Sequence, residues 1–439
     1  MKKITILLTF STITIHSGAQ RKGEWKNLKE TEQIVKFLAS DDLAGRYPFT
    51  PGIDKAAAFI ADEFKKAGLQ PWDGKSFIQS FNLTQLHFVS VKAFINGEPV
   101  DEKNIFASTR GDKEMLQKNE GSADYEIAYI SKTDTFISRL AALRRTQKKS
   151  LIIFADTSHR RIFSRYHSAS QKYYSGFQGY NSRYFPLDKD LVMILTDKKP
   201  ESWSIEYRQR AEHKELKNVV GLLPGKKISQ EIVVFSAHYD HLGISKLNGE
   251  KDSIYNGAND DASGVAAIIQ LAHYFSKKRN NERALLFSAF TFEEGGGFGA
   301  AYFTEHHDPS LIIADFNIEM IGSICEKGVG AADITGYEHS DFGKILQKNL
   351  EGSSYKFYPD TLKRFYNSDN ITLARRGIPA HSISTAKGFR EPYYHTPDDE
   401  WDKLDYKNMN EVIKAIALSA GSIISGKDTP TRIDVNMLR

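Results

Sequence analysis

Histidines and acidic residues recur in short polar clusters in the second half of the chain. They are His238, Asp240 and His241 in "HYDHLG", Asp260 and Asp261 in "NDDASG", Glu293 and Glu294 in "FTFEEGGG", Glu319 in "FNIEMIG" and His395 in "YYHTPDD". Each cluster alone has a simpler explanation, such as a hydrogen-bonded histidine or a helix cap. Together they supply the imidazole and carboxylate ligands that zinc prefers, with carboxylates able to bridge two ions.

The adjacent glutamates Glu293 and Glu294 end an apolar stretch, where two like charges side by side are costly to bury. Adjacent residues leaving a strand point in opposite directions, so only one of the two can face a metal directly. The glycines that follow leave room for substrate and backbone to approach. They are not a phosphate-binding loop, because no Lys-Ser or Lys-Thr follows them. Without a metal, several of the converging carboxylates would have to be protonated.

The elements that must position these residues alternate between strands and helices from residue 218 onward. "EIVVFSA", "RALLFSAFTF", "LIIADFNI" and "IPAHSIS" are typical of buried strands, and "ASGVAAIIQLAHYF" and "YKNMNEVIKAIALSAGSII" are typical of helices. This alternation predicts an α/β fold, a three-layer sandwich with a mixed, mainly parallel sheet. Sites in such sheets lie beyond the carboxyl ends of the strands, and each polar cluster follows a predicted strand.

The first 216 residues show two different residue patterns. From Trp25 to about Phe81 the pattern is helical, with "DKAAAFIADEFKKAGL" as an amphipathic helix ended by Gly68. From Asn82 to Leu216 short apolar runs such as "SLIIFAD" indicate strands and a smaller β-rich insertion. We therefore expect a discontinuous main domain, residues 20–85 and 213–430, with an inserted domain or lid over residues 86–212.

Composition excludes some functions. The chain has 439 residues, 26% of them charged, and a formal net charge of 59 − 55 = +4, which gives nucleic-acid binding no support. Lys2 and Lys3, the apolar run from Ile4 to Ile15 and the small residues before Gln20 are typical of a secretory signal peptide, residues 1–19. That apolar run is too short to span a bilayer, so we expect an exported protein, periplasmic or secreted and soluble, without stable membrane association. The single cysteine, Cys325, allows no internal disulfide.

Five of these blocks, in order, resemble those of the aminopeptidase Y-like zinc metallopeptidases, which include glutamate carboxypeptidase II and bacterial leucyl aminopeptidases. The blocks are "SAHYDHLG", "NGANDDASG", "FTFEEGGGFGA", "FNIEMIG" and "YYHTPDD". "LASDDLAGRYPFTPG" and "LKNVVGLLPG" resemble further segments of the family, so the resemblance covers about 30–90 and 215–425. Five blocks in the family order are far more specific than any one of them. The resemblance implies a zinc exopeptidase fold and peptide substrates.

The resemblance also implies a role for each matching residue. Asp260 would bridge two Zn²⁺ ions, with His238 and Glu319 completing one site and Glu294 and His395 the other. Glu293 would be the general base, and Tyr394 would support the oxyanion. Asp240 would orient His238, Asp261 would lie behind the ligands, and the family tends to have a cis peptide bond between Asp260 and Asp261.

Two positions depart from the family pattern. Glu319 stands where the family usually has Asp, which makes the second zinc site the less certain one. "SDN", residues 368–370, stands where the family often has Ser-Asp-His. The middle segment occupies the place where many members insert a protease-associated domain, a β-rich module that we expect to cover the cleft.

The sequence leaves three functions open. The first is a metallo-aminopeptidase that removes N-terminal residues. The second is a glutaminyl cyclase-like acyltransferase with one zinc, and the third is a non-catalytic, receptor-like relative. A carboxypeptidase or dipeptidase preference also remains open, since Arg364, Arg375, Arg376 or Arg390 could await a substrate carboxylate. The preferred side chain and the oligomeric state are not predicted.

Overall fold

The computed structural model describes residues 28–109, 113–167, 171–174, 189–245 and 252–438. The predicted signal peptide, residues 1–19, lies outside the described residues. Within these ranges no helix is both long and apolar enough to cross a bilayer.

The strands of the described residues fall into a large sheet, a small sheet and a short hairpin. They are β1 (Gln70–Pro71), β2 (Ile78–Ile95), β3 (Glu98–Pro99), β4 (Ile105–Ser108), β5 (Met115–Asn119), β6 (Tyr125–Ile130), β7 (Ser150–Ala155), β8 (Gln171–Tyr174), β9 (Leu191–Leu195), β10 (Trp203–Leu223), β11 (Ile228–His238), β12 (Gly243–Ile244), β13 (Ile254–Tyr255), β14 (Arg283–Phe290), β15 (Ile312–Ile318), β16 (Ala331–Ile334), β17 (Lys356–Pro359) and β18 (Ala380–Ser384).

The helices lie before, between and after these strands. They are α1 (Leu28–Leu38), α2 (Pro51–Lys66), α3 (Phe136–Thr146), α4 (Arg160–His167), α5 (Ser263–Lys278), α6 (Phe298–Glu305), α7 (Phe342–Asn349), α8 (Asn370–Ala374), α9 (Tyr406–Ser419) and α10 (Gly421–Ile424). The terminal helix predicted as one segment is two, because the chain turns at Ala420 between α9 and α10.

The large sheet is mixed, with the order β17-β16-β18-β15-β11-β14-β10-β2-β3. Its centre is parallel, since β11 pairs in parallel with both β14 and β15, and β15 pairs in parallel with β18. The next strand, β10, is antiparallel to β14, and β2 is in turn antiparallel to β10. The predicted mixed sheet with a parallel core is thus confirmed. The four central strands end at the same edge, and the polar clusters follow there.

Helices cover both faces of the large sheet. Along β11, Val233, Phe235 and Ala237 pack into a core that includes α1, α2, α5 and α9. Ile232 and Val234 alternate with these residues along the strand, so they face the other side of the sheet and pack into a second core with α6 and α8. Because side chains alternate across a strand, this double burial explains why the sequence reads as an unbroken apolar run.

Residues 105–195 contain the small sheet, with the order β4-β9-β7-β6. One of its faces packs against α3 and α4, and the other packs against the outer parts of β2 and β10. These two long strands pair from Trp203–Ile95 to Val219–Ile78, with one register shift between Arg208 and Gln209, so they run from the large sheet to the small one. The predicted borders near 86 and 212 therefore fall inside strands, and the assignment as a protease-associated module stays a prediction.

Candidate active site

The polar clusters converge at the carboxyl edge of the parallel strands. His238 is the last residue of β11, Glu319 directly follows β15, and the Glu293–Glu294 turn follows β14. Asp260 lies in the helical turn before α5. The loop after β18 carries His395 to the same place, so all five predicted ligands come together.

Asp260 lies between two histidines. Its Oδ1 is 3.2 Å from Nε2 of His238, and its Oδ2 is 3.2 Å from Nε2 of His395. Nε2 of His238 is also 3.6 Å from Oε1 of Glu319, and Nε2 of His395 is 3.1 Å from Oε1 of Glu294. One carboxylate thus belongs to two groups of three ligands, an arrangement that suits two metal ions.

The electrostatics of the two groups fit bound cations. Burial would lower the pKa of His238, but Glu319 and Asp260 raise it well above the ordinary value. Burial also opposes the shift of His395, whose pKa is raised to about 10 by Asp260 and Glu294. The imidazoles are the nearest groups that could offset this negative charge. Divalent cations would neutralise the carboxylates and leave the rings neutral, as metal ligation requires.

A third histidine, His241, belongs to the predicted polar clusters, but the family resemblance gave it no role. Its Nδ1 lies 2.9 Å from Oε1 of Glu294, the oxygen that His395 also approaches. His241 is fully buried, whereas His395 is one-third exposed and lines the cavity of the site. Ligand atoms of His241, Asp260 and Glu294 all lie within 4.8 Å of one another. His395 therefore faces the cavity from which a metal would enter, whereas His241 contacts Glu294 from the buried side.

Asp261 supports the ligand loops through the backbone. Its Oδ1 accepts hydrogen bonds of 3.0 Å from the N–H groups of Gly264 and Met320. Ligand atoms of Asp261, His238 and Glu319 also lie within 4.8 Å of one another. Oδ2 of Asp261 has no hydrogen-bond partner among the described residues, so both Asp260 and Asp261 are candidate ligands beside His238. The peptide bond between Asp260 and Asp261 is cis, as expected from the resemblance.

Asp240 makes contacts other than the one predicted for it. Its carboxylate is 3.8 Å from Nδ1 of His238, whereas its backbone carbonyl is 3.2 Å away. Instead, Oδ1 accepts the N–H of Glu293 at 3.0 Å and Oδ2 accepts the N–H of Glu294 at 3.3 Å. Asp240 therefore holds the turn that carries both glutamates, and the carbonyl orients His238.

Glu293 faces the cavity beside the two ligand groups. Burial raises the pKa of Glu293 well above its ordinary value, and Glu294, Asp369 and Glu319 add to the rise. Among the described residues no side chain hydrogen-bonds to its carboxylate. A carboxyl group with a raised pKa and free oxygens is suited to accepting and returning a proton.

A hydrogen-bond chain supports Glu319 from behind. The hydroxyl of Ser368 donates to Oε2 of Glu319 at 2.7 Å, and Nδ2 of Asn317 donates to Ser368 at 2.8 Å. Asn317 also donates to Ser382, whose hydroxyl in turn donates to Oδ1 of Asn370 at 2.8 Å. Both departures from the family pattern, Glu319 and Asn370, thus belong to one connected network.

Tyr394 stacks on His395, with the ring centroids 3.9 Å apart. It lines the cavity, and burial together with Asp260 and Glu294 raises the pKa of its hydroxyl above the ordinary value. The hydroxyl therefore stays protonated at neutral pH and can donate a hydrogen bond.

The cavity next to the ligands has a volume of about 370 Å³. Its wall includes Met320, Leu362 and Ala386 as well as the cationic residues Arg364, Lys387 and Arg390. Arg364 is already bound by Asp360 at 3.0 Å, Asp333 at 3.3 Å and the Ala386 carbonyl at 2.6 Å. Arg390 pairs with Glu326 at 3.0 Å. Arg364 and Arg390 are the two candidate arginines for a substrate carboxylate that line the cavity, and both already pair with carboxylates of the protein.

Sequence reasoning also missed Asp399, in "YYHTPDD". Its Oδ1 accepts the N–H of Asn259 at 2.8 Å and its Oδ2 accepts the N–H of Asp260 at 3.0 Å. Burial raises the pKa of Asp399 to about 6. The sequence did contain a signal for Asp399, because it is the second aspartate of the block that carries His395 and lies four residues after it.

The fold and the clustered ligands define an α/β protein with a candidate dinuclear metal centre. Residues 218–420 match the model of Peptidase family M28. The chain is 36% identical over 110 residues to a probable zinc metalloprotease of Pyricularia oryzae, covering 25% of this chain and 21% of that protein. It is 28% identical over 211 residues to a probable leucine aminopeptidase of Arthroderma otae, covering 45% and 54%.

Two solved structures share the fold over nearly the whole chain. An aminopeptidase from Aneurinibacillus sp. strain AM-1 has a TM-score of 0.51 at 18% identity, covering 94% of this chain and 97% of that one. BSAP, a zinc aminopeptidase from Bacillus subtilis, has a TM-score of 0.52 at 16% identity, covering 93% and 98%. This chain covers only 21% and 54% of the length of the two curated relatives. The comparisons therefore establish the fold and the match to the family model over residues 218–420.

Proposed function

We propose that this chain is a zinc-dependent exopeptidase that removes N-terminal residues from peptides. The observation that carries the proposal is the position of Asp260, whose two oxygens each lie 3.2 Å from a different histidine. Glu293, a carboxyl group free of hydrogen bonds among the described residues, opens on the same cavity. The family domain supports a peptidase.

The donor set suits two zinc ions. His238, Asp260 and Glu319 would hold one ion, and Asp260, Glu294 and His395 would hold the other. Zinc, when bound, polarises the scissile carbonyl and makes the attacking water more acidic.

Glu293 would carry the proton through the reaction. It accepts a proton from the attacking water and returns it to the nitrogen of the leaving amine, so the carboxylate is regenerated in each turnover. The hydrogen bonds from the backbone of Glu293 and Glu294 to Asp240 fix the turn that aims this carboxylate. Tyr394 would donate a hydrogen bond from its hydroxyl to the oxygen that becomes negative in the tetrahedral intermediate.

The charges around the cavity favour a substrate amine over a substrate carboxylate. Asp260, Glu293, Glu294 and Glu319 give the cavity an acidic wall. Arg364 and Arg390 have their own carboxylate partners. We therefore propose an aminopeptidase, with Lys387 as the remaining cation of the cavity wall.

The test combines metal analysis with a panel of aminoacyl chromogenic substrates, N-blocked and free. We expect two zinc ions per chain and cleavage confined to substrates with a free amine. Cleavage of N-blocked peptides with a free carboxylate would overturn the aminopeptidase and point to Lys387. A product from N-terminal glutamine that is lighter by one ammonia would indicate a cyclase instead. Metal-loaded protein without any turnover would indicate a non-catalytic relative.

We also propose that the protein acts outside the cytoplasm, which the signal-peptide pattern of residues 1–19 supports. Mass analysis of the mature protein from the producing cell should show a chain that begins at Gln20. A chain that retains residues 1–19 would contradict export through this segment.

A further inference from the structure

Arg46 is a fully buried arginine beneath the candidate site. It ends the helical segment Asp41–Arg46 and lies outside the part of the chain that matches the family model. Gly45 before it has a φ of 69°, and a Cβ there would lie 2.6 Å from the carbonyl oxygens of Gly243 and Tyr255. Only glycine fits at this position, and it lets the chain insert Arg46 under the hairpin of β12 and β13.

The guanidinium of Arg46 binds four backbone carbonyls. Nε donates to Tyr239 at 2.8 Å, Nη2 donates to Gly257 at 2.9 Å, and Nη1 donates to both Leu38 and Asn256 at 2.5 Å. The backbone carbonyl of Arg46 in turn accepts the N–H of His241 at 3.3 Å. Among the described residues no carboxylate accepts a hydrogen bond from Arg46, so this arginine acts as a clamp on the backbone.

Three of the four clamped carbonyls, those of Tyr239, Asn256 and Gly257, belong to segments that carry a ligand. Tyr239 directly follows His238, and Gly257 lies three residues before Asp260. The nitrogen of His238 and the oxygen of Asp260 must approach one ion together, and Arg46 joins their backbones through a single rigid group.

Arg46 also supplies the positive charge beneath the site. Burial lowers the pKa of Arg46 to about 10, against the opposing effect of Asp240, Asp399, Asp260 and Asp261. It therefore remains charged at neutral pH. Asp240 and Asp399 each accept two backbone N–H groups of ligand-bearing loops, which is strongest when both carboxylates are ionised.

We propose that Arg46 is a positioning residue for the metal centre, which holds the His238 and Asp260 segments at the spacing that lets both side chains bind one ion. The inference rests on the proposed metal centre but not on peptide hydrolysis. Lysine cannot replace the arginine, because one ammonium cannot reach acceptors spread over three segments.

Arg283 provides a matched control. It is also buried, at 3% exposure, and donates to the carbonyls of Ile423 and Asp428 at 2.7 Å and to Glu231 at 2.5 Å. It is the first residue of β14, so it lies at the opposite end of that strand from Glu293. Both arginines stabilise the fold, but only Arg46 clamps ligand-bearing segments.

The experiment compares Arg46→Lys and Arg46→Met with Arg283→Lys and Arg283→Met in the full chain. Zinc affinity is measured with Zn²⁺ alone in competition with a chelator, and the melting temperature is measured on metal-free protein. We expect Arg46→Lys to lose about tenfold to a hundredfold in zinc affinity, the range typical of groups that hold metal ligands in place. Arg283→Lys should bind zinc like the parent at a comparable loss of melting temperature.

Equal zinc affinity in Arg46→Lys and the parent would overturn the proposal. The proposal would also be overturned if zinc affinity fell in proportion to the melting temperature in the Arg46 variants and in the Arg283 variants alike. If a methionine variant does not fold, the comparison of Arg46→Lys with Arg283→Lys still tests the proposal. A parent that binds zinc but cleaves no peptide overturns only the proposed function, and a parent that binds no zinc overturns both.

Discussion

The carboxylate of Asp240 accepts the backbone N–H of Glu293 at 3.0 Å. Its second oxygen accepts the N–H of Glu294 at 3.3 Å, so one residue at the end of β11 fixes the turn at the end of β14. Because β11 and β14 are parallel neighbours, their carboxyl ends are close enough for this contact. These two hydrogen bonds fix Glu293, the proposed base, relative to His238 through the backbone of the turn and without contacting the side chain of Glu293.

Asp240→Asn should therefore reduce turnover more than it reduces zinc content. An amide keeps one acceptor oxygen but turns an NH₂ group toward the second N–H, so the turn loses one of its two hydrogen bonds. We expect kcat to fall about tenfold to a hundredfold, in line with groups that orient catalytic residues. Steady-state kinetics with parallel zinc analysis measures this.

The control for Asp240→Asn is Asp308→Asn, at a carboxylate that caps the exposed Ser310 turn away from the site. This variant should keep the kcat of the parent. A loss of zinc equal to the loss of turnover in Asp240→Asn would show that Asp240 acts on the metal ligands instead of the turn.

Glu293→Gln should abolish turnover while zinc content stays near that of the parent. Glutamine is close in size but cannot accept a proton from water, and a positioned base contributes about 10²- to 10⁴-fold to the rate. Kinetics and metal analysis on the same preparation test the prediction. Loss of zinc in the variant would mean that Glu293 is a ligand and that the assignment of the two glutamates is reversed.

The sequence was sufficient to predict which residues converge, because the parallel sheet determines where strand ends lie. His238, Glu293 and Glu319 lie at the ends of neighbouring strands, so the parallel pairing brings them to one edge of the sheet. Glu294 and His395 were also among these clusters, the family resemblance supplied their roles, and Oε1 of Glu294 lies 3.1 Å from Nε2 of His395.

The groups that hold these residues could not be predicted in the same way. Arg46 and Asp399 contact ligand segments that are 193 and 139 residues away, and nothing local in the sequence pairs them. Asp240 was assigned to a ring nitrogen because it lies two residues from His238, but its carboxylate turns toward the next strand. Sequence spacing indicates proximity along a strand, whereas side-chain direction depends on the packed structure.

Ser368→Ala should weaken zinc binding at the group that contains Glu319. The hydroxyl of Ser368 donates to Oε2 of Glu319 at 2.7 Å, and a hydrogen bond to a charged group contributes about 1.5–3 kcal/mol. We expect a loss of about tenfold in affinity for one of two zinc ions, measured by chelator competition.

A double-mutant cycle with Glu319→Asp checks the cause of that loss. Aspartate is one methylene shorter and should no longer reach both Ser368 and the ion, so Ser368→Ala should have little further effect in this background. Additive losses would show that Ser368 acts on zinc binding by another route.

The stability of the fold should fall in mild acid through His381. This side chain is fully buried, with Nδ1 2.8 Å from the Thr335 carbonyl and Nε2 2.7 Å from the Ser340 hydroxyl. Burial lowers the pKa of His381 from 6.5 to about 4. The unfolded chain therefore binds a proton that the folded chain does not, and the free energy of unfolding decreases as the pH falls from about 6.5 to about 4. Over the whole window the loss is about 3 kcal/mol.

Urea unfolding of the parent and of His381→Gln at several pH values between 4 and 7 tests this. The variant is expected to be less stable at pH 7, since the ring also packs on Phe342, but its stability should depend less steeply on pH. His306→Gln, at an exposed histidine, should keep the parent's slope. His381→Gln retains part of the slope in any case through His307, whose pKa burial also lowers to about 4. Equal slopes in the parent and in His381→Gln would show that His381 does not titrate differently in the folded and unfolded chain.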